Sequence, residues 1–381
     1  MEARKRLDDL LKVRGVALAR EKARGTKIVG YYPDEYFPEE LALACGAIPI
    51  GLCRGGEYAP VFRSGGYVIR WLDTFCRAQI GYLTGKDDLY YAMLDLYVSP
   101  IVDKNMQVVA DCVSFFTDIE EFRFGVPREK NELGYKYYLY GLRLLKEKLE
   151  SLTGNKITDD KLKESIQLCN RERELLKEIS LMRKVDSVPL SGKEFLTLNH
   201  ASYVLDKKAV VDILESYSEE LKKAEGRAKG PRIILTGSTL AWGDYKLIDM
   251  AEKAGANVVI EQYCEAVRDY WDNVDVDGDL MEGIARRYFT KKVPHMAFVP
   301  GRERLELVIK LAKDFKVDGG LWYGPMYRDE ADIEFAWFEE WWKDEMGLPI
   351  LRLETEYDPY EAYEAGPLKT RVETFVETMR Q

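Results

Sequence analysis

The chain has 381 residues, 46% of them hydrophobic and 32% charged, and a formal net charge of −10. That length and balance describe a globular protein with room for two domains, and the acidic excess argues against a nucleic-acid backbone as partner. A charged, amphipathic N-terminus (Glu2, Arg4 and Lys5 among Leu7, Leu10 and Leu11) and the lack of a long apolar run predict no signal peptide, no membrane span and a cytoplasmic setting.

Residues 1–26 read as an amphipathic helix. Lys27 to Tyr32 has the β-branched and aromatic character of a buried strand. Pro38 suits the first helical position, with Glu39 and Glu40 complementing the helix dipole and Gly46 stopping the turn after Cys45. A second strand, Ala47 to Leu52, ends at Cys53. Glu57 to Tyr67 reads as a loop, Ile69 to Leu83 as a helix carrying Cys76, and Asp95 to Ile101 as a strand with Val102-Asp103 behind it. A helix over Met106 to Phe116 and a strand over Phe122 to Val126 complete this part.

From 131 to 230 the pattern is helical. Thr158 is placed to cap a helix along which Leu162, Ile166, Cys169, Leu176 and Ile179 recur at helical spacing, so Cys169 reads as core. Ala224 to Gly230 is the best linker. The opening pattern then recurs: strand Arg232 to Leu235, loop Thr236-Gly237-Ser238, helix Asp244 to Ala254, stop at Gly255, strand Asn257 to Tyr263, and Cys264 directly behind it. Further strands are expected over His295 to Val299, Val317 to Trp322 and Pro349 to Glu354. Phe335 to Trp342 has the spacing of a helix packed in the interior or at a subunit interface. Alternating strands and helices predict an α/β fold with parallel sheets covered on both faces. The units are an N-terminal lobe (1–130), a helical region and linker (131–230) and a C-terminal lobe (231–381).

Ligands of open α/β sheets gather beyond the carboxyl ends of strands. Cys53 and Cys264, each behind the second strand of its half, therefore suggest two lobes facing one site. Ser238 lies in a strand-to-helix loop whose N–H groups could hold a phosphate, although neither a G-x-G-x-x-G nor a GK[ST] motif is present. The six cysteines include no Cys-x-x-Cys pair, and only His200 and His295 supply imidazole. Thiolates with almost no histidine favour an iron–sulfur cluster over zinc, and Cys53, Cys76 and Cys264 are the candidate ligands. Cys45 and Cys112 fit buried packing better.

Several stretches resemble the 2-hydroxyacyl-CoA dehydratase and benzoyl-CoA reductase family, which includes double-cubane iron–sulfur proteins. They are Pro38-Glu39-Glu40-Leu41 with Ala44-Cys45-Gly46-Ala47-Ile48-Pro49 and Gly51-Leu52-Cys53; LTGNKITDDKLKESIQLCNRERELL with Leu190-Ser191-Gly192; and LTGS, EKAGANVVIEQYC with Arg268, Val317-Asp318-Gly319 and the tail Leu368 to Phe375. The resemblance covers nearly the whole chain. It implies two Rossmann-like parallel-sheet lobes joined by a helical region, and pairing with a homologous subunit as a homo- or heterodimer. It also implies a [4Fe–4S] or larger cluster, an ATP-dependent iron–sulfur activator that injects single electrons, and an acyl-CoA thioester as substrate.

In the dehydratases of this family the first cluster cysteine matches Cys76. The second precedes an aspartate where this chain has Val102-Asp103, and the third falls where it has Tyr327-Arg328-Asp329. Two readings follow. Cys76 works with Cys53 and Cys264 in a rearranged cluster site of a redox subunit. Alternatively the cluster is lost, Arg328 holds an anionic group instead, and the chain is a structural or substrate-binding partner of a cluster-bearing paralogue. A two-lobed small-molecule binding protein is the third possibility.

Overall fold

A computed structural model describes residues 2–33, 36–294, 296, 298–357 and 361–380, with only the backbone for 361–365. Among these, eight strands form two four-stranded, all-parallel sheets. The first contains β1 (Ile28–Tyr31), β2 (Ile48–Gly51), β3 (Leu96–Ile101) and β4 (Glu120–Gly125). The second contains β5 (Arg232–Gly237), β6 (Asn257–Gln262), β7 (Gly319–Pro325) and β8 (Ile350–Thr355). Their orders correspond: β2-β1-β3-β4 and β6-β5-β7-β8. The chain therefore repeats one topology twice, and each central pair, β1/β3 and β5/β7, is a point where the strand order reverses.

The repeat extends to helix ends. Gly46 and Gly255 have φ of +79° and +89°, a region open to glycine at little steric cost. Gly46 N–H donates to Leu43 O and Ala47 N–H to Ala42 O; Gly255 and Ala256 donate in the same way to Glu252 O and Ala251 O. Both are Schellman closures, and each turns its helix into the following buried strand.

Local expectations shift at several boundaries. Pro38 is the residue before the first helical turn, not in it, and the helix runs Glu39–Ala44. The expected loop over Glu57 to Tyr67 contains a helix, Tyr58–Ser64. The helix expected from Ile69 begins at Thr74 because the Asp73 side chain accepts the Cys76 N–H. Thr236 and Gly237 belong to β5, and the helix after them starts only at Lys246. The strand expected over His295 to Val299 lies partly outside the described residues; Val299 makes an isolated bridge to Glu129.

Helices Glu132–Thr153, Asp159–Leu181, Gly192–Ser202 and Lys207–Leu221 form the middle region, and Thr158 caps the second as expected. Cys169 is buried on that helix. Charges buried beneath these helices are paired: Arg183 with Glu261 at 2.7 Å, Arg173 with Glu40 at 2.6 Å, and Lys207 with Glu39 and Glu172 at 2.6 and 2.8 Å. Removing one member of such a pair strands a charge in a low-dielectric interior. In the second lobe Trp322 packs against Phe335 and Phe338, and Trp342 is fully buried beside Phe338. Among the described residues no helix is long and apolar enough to cross a membrane.

Candidate functional site

The carboxyl ends of both sheets meet in a buried cleft. From the first lobe come Tyr32 behind β1, Asp103 behind β3, and Phe75 and Cys76 in the first turn of helix Thr74–Gly85. From the second come Thr239 behind β5, Cys264 and Glu265 behind β6, and Arg328 behind β7. Tyr32, Phe75, Met106, Thr239, Cys264, Glu265 and Arg328 line one small chamber.

Arg328 organises it. Nη2 donates to Asp103 Oδ2 at 2.7 Å, and Nη1 lies 3.6 Å from Asp73 Oδ2 and 3.9 Å from Cys76 Sγ. All four residues are buried. Burial works against the charged guanidinium, but Asp103, Asp73, Cys76 and Cys264 outweigh it and hold Arg328 firmly cationic. Burial pushes the Asp73 carboxyl up, and Arg328 offsets only part of that rise.

Both aspartates have a second task. Asp103 accepts the Met106 N–H and Asp73 the Cys76 N–H, each at 2.9 Å and each at a helix start. These caps fix the carboxylates that face the guanidinium. Arg328 stands directly before helix Asp329–Met346, at the positive end of its dipole, where a cation is disfavoured. Asp329, Glu330 and Asp332 in the first turn counter that cost.

The expected site residues are brought together in part. Cys76 and Cys264 both act on the Arg328 guanidinium, and Cys76 Sγ lies 3.5 Å from Met106 Sδ. Cys53 is fully buried, its carbonyl accepts the Trp242 N–H at 2.7 Å, and Tyr90, Tyr91, Tyr203 and Tyr245 lie within electrostatic reach of its thiol. Burial, then Glu265, pushes that thiol far up, so it stays protonated. A [4Fe–4S] cluster takes three or four thiolates. Among the described residues no three His, Cys, Asp or Glu side chains converge as metal ligands. Val102 is buried in the apolar core and Arg328 is a cation, so the cleft as arranged does not fit a three-thiolate cluster.

Four N–H groups of the loop around Ser238 are already bonded within the protein. Ser238 N–H donates to Tyr323 O, Leu240 N–H to Glu265 Oε2, Trp242 N–H to Cys53 O and Asp244 N–H to Ala241 O. The Ser238 hydroxyl is buried without a hydrogen-bond partner among the described residues. His200 sits deeper, with Nδ1 2.7 Å from the Tyr245 hydroxyl; burial lowers it to about 3 and keeps it neutral.

Sequence reasoning does not single out Asp73 as a partner of Arg328. The signal at that position is an N-cap residue immediately before a helical run, which marks a cap but not what else the carboxylate faces.

Comparison with known proteins agrees with this architecture. The family model described as 2-hydroxyglutaryl-CoA dehydratase, D-component, matches residues 35–379. A benzoyl-CoA reductase subunit of Thauera aromatica is 24% identical over 320 residues, 83% of this chain and 82% of that protein. The (R)-phenyllactyl-CoA dehydratase beta subunit of Clostridium sporogenes is 23% identical over 359 residues, 93% and 92% of the two chains. The beta subunit of (R)-2-hydroxyglutaryl-CoA dehydratase from Acidaminococcus fermentans is 26% identical over 230 residues, 58% of each. The chain belongs to the 2-hydroxyglutaryl-CoA dehydratase D-component family.

Proposed function

We propose that this chain is a subunit, without a cluster of its own, of an oxygen-sensitive enzyme of the 2-hydroxyacyl-CoA dehydratase or benzoyl-CoA reductase type. In that assembly a homologous, cluster-bearing subunit receives low-potential single electrons from an ATP-dependent iron–sulfur activator and acts on an acyl-CoA thioester. One observation carries the reading: Arg328, at the position where the resemblance implies the third cluster cysteine of the dehydratases, is buried and paired with Asp103 at 2.7 Å. A cationic, ion-paired side chain cannot ligate iron. It can hold the two lobes in a closed arrangement, with Cys76 beside it.

A second reading keeps a [4Fe–4S] or larger cluster on Cys76, Cys264 and Cys53. It draws on the approach of Cys76 and Cys264 to the same guanidinium. It requires Arg328 to leave its carboxylates and Cys53 to leave its tyrosine surroundings.

The test is reconstitution under strict anaerobiosis. The chain alone, with activator, ATP and a 2-hydroxyacyl-CoA, should give no dehydration. Addition of a cluster-bearing family subunit should give turnover that depends on both chains. Turnover by this chain alone would overturn the proposal.

A further inference from the structure

A strap of chain passes from the first lobe to the second beside the cleft. Residues 65–72, Gly-Gly-Tyr-Val-Ile-Arg-Trp-Leu, join helix Tyr58–Ser64 to helix Thr74–Gly85, whose first turn carries Cys76. Asp73, next in the chain, faces Arg328 at 3.6 Å. The strap therefore leads straight to the buried charges, yet most of it stands in solvent. Ile69 is 71% exposed and Trp71 67%, whereas Cys76 and Arg328 are buried.

Its hold on the molecule is light. The N–H groups of Gly65 to Val68 donate to the carbonyls of Phe62, Arg63 and Ser64 in the preceding helix. Beyond them, among the described residues, none of the N–H groups of Ile69, Arg70, Trp71 and Leu72 donates to a backbone carbonyl. Exposed backbone with few internal bonds belongs to the low-stability end of a structure. Tyr67 rests on Phe116 within its own lobe, ring centroids 4.9 Å apart. The far end reaches the second lobe. Trp71 meets Tyr327 edge to face, with centroids 5.4 Å apart and planes at 85°. Arg70 Nη2 lies 3.7 Å from Glu356 Oε1, and with Arg70 largely exposed that pair holds weakly.

Tyr327 has a φ of +71°, uncommon for a residue with a Cβ, and stands directly before Arg328. The Trp71–Tyr327 contact is thus one residue from Arg328 along one chain segment and two from Asp73 along the other. The chamber that Arg328 lines has a volume of about 10 Å³, room for about one water. A larger solute reaches the buried guanidinium only if part of its surroundings moves. The strap, exposed and sparsely bonded, can move at small cost.

We infer that residues 65–71 form a lid that opens and closes the cleft over Cys76 and Arg328. Trp71 against Tyr327 is its latch, and Gly65-Gly66 is its hinge. The inference concerns access to the cleft and does not rest on whether a cluster is bound.

The experiment is native-state alkylation of the full chain with N-ethylmaleimide, each cysteine being followed in time by peptide mass spectrometry. Cys169, buried in the middle helices, reports global unfolding alone. In the wild-type chain Cys76 should label slowly, but ahead of Cys169. Trp71→Ala should raise the Cys76 rate roughly threefold or more, the weight of one aromatic contact, and leave the Cys169 rate and the urea midpoint unchanged. Tyr327→Asn, which keeps a residue suited to positive φ, should do the same. The double variant should gain little beyond either single. A Cβ at Gly66 would meet Arg63 O at 3.6 Å, an ordinary contact, so Gly66→Ala stiffens the hinge and should slow Cys76 labelling about twofold. Cys76 labelling in step with Cys169 in every chain would overturn the inference. So would a Cys76 rate that neither Trp71→Ala nor Tyr327→Asn changes, or a wild-type Cys76 as reactive as an exposed thiol.

Discussion

Arg328 Nη2 lies 2.7 Å from Asp103 Oδ2, and the two residues hold the same station in the two halves of the chain. Each is the residue before the helix that follows the third strand of its lobe, Lys104–Phe116 for Asp103 and Asp329–Met346 for Arg328. The internal repeat therefore closes on itself through one buried ion pair at the lobe junction, and Asp73 adds a second carboxylate.

Breaking that pair should be costly. Asp103→Asn or Arg328→Met should each destabilise the fold by about 3–5 kcal/mol, because the first leaves buried Arg328 with only the longer 3.6 Å contact to Asp73 and the second leaves buried carboxylates without their cation. The double variant should lose much less than the sum. Urea unfolding of the two singles and the double forms the cycle; additive losses would show that the pair does not hold the lobes together.

His200 gives a pH signature. Its folded value of about 3 lies below the unfolded value near 6.5, so protons favour the unfolded chain as pH falls. Stability linked to this group is intact above pH 6.5 and is lost progressively between pH 6.5 and 3. The loss is on the order of 5 kcal/mol if fully expressed. His200→Gln should flatten that part of the stability-versus-pH curve. Parallel curves for both proteins would exclude the role.

Cys53 should be chemically silent in the native state. Its thiol is fully buried and held protonated by burial and by Glu265, whereas alkylation requires an accessible thiolate. Native-state iodoacetamide labelling followed by peptide mass spectrometry should leave Cys53 unmodified, and denaturant should expose it. Rapid native labelling of Cys53 would contradict its placement.

The legible features of this fold are local ones. Gly46 and Gly255 stop helices through φ values that their own residue type permits, so the repeated unit is visible in sequence. The run of helices from Glu132 to Leu221 follows from apolar spacing and from caps such as Thr158. Long-range pairing is not legible. Glu40 reads as a dipole-complementing residue, yet its carboxylate meets Arg173, 133 positions away. Arg328 and Asp103 are separated by 225 positions, and only the packing of one lobe on the other brings them together. Cys53 and Cys264 are equivalent in strand position but not in surroundings. Each follows an outermost strand, β2 or β6, whereas Asp103 and Arg328 follow strands beside the sheet centres. The cleft centre therefore belongs to the ion pair.

The most direct measurement is iron and acid-labile sulfide in strictly anaerobic, as-purified protein, with its ultraviolet–visible spectrum. A cation held in the ligand position leads to a folded, colourless chain free of both elements. About four irons per chain, lost on Cys76→Ala and Cys264→Ala, would contradict it and return the cleft to a cluster site.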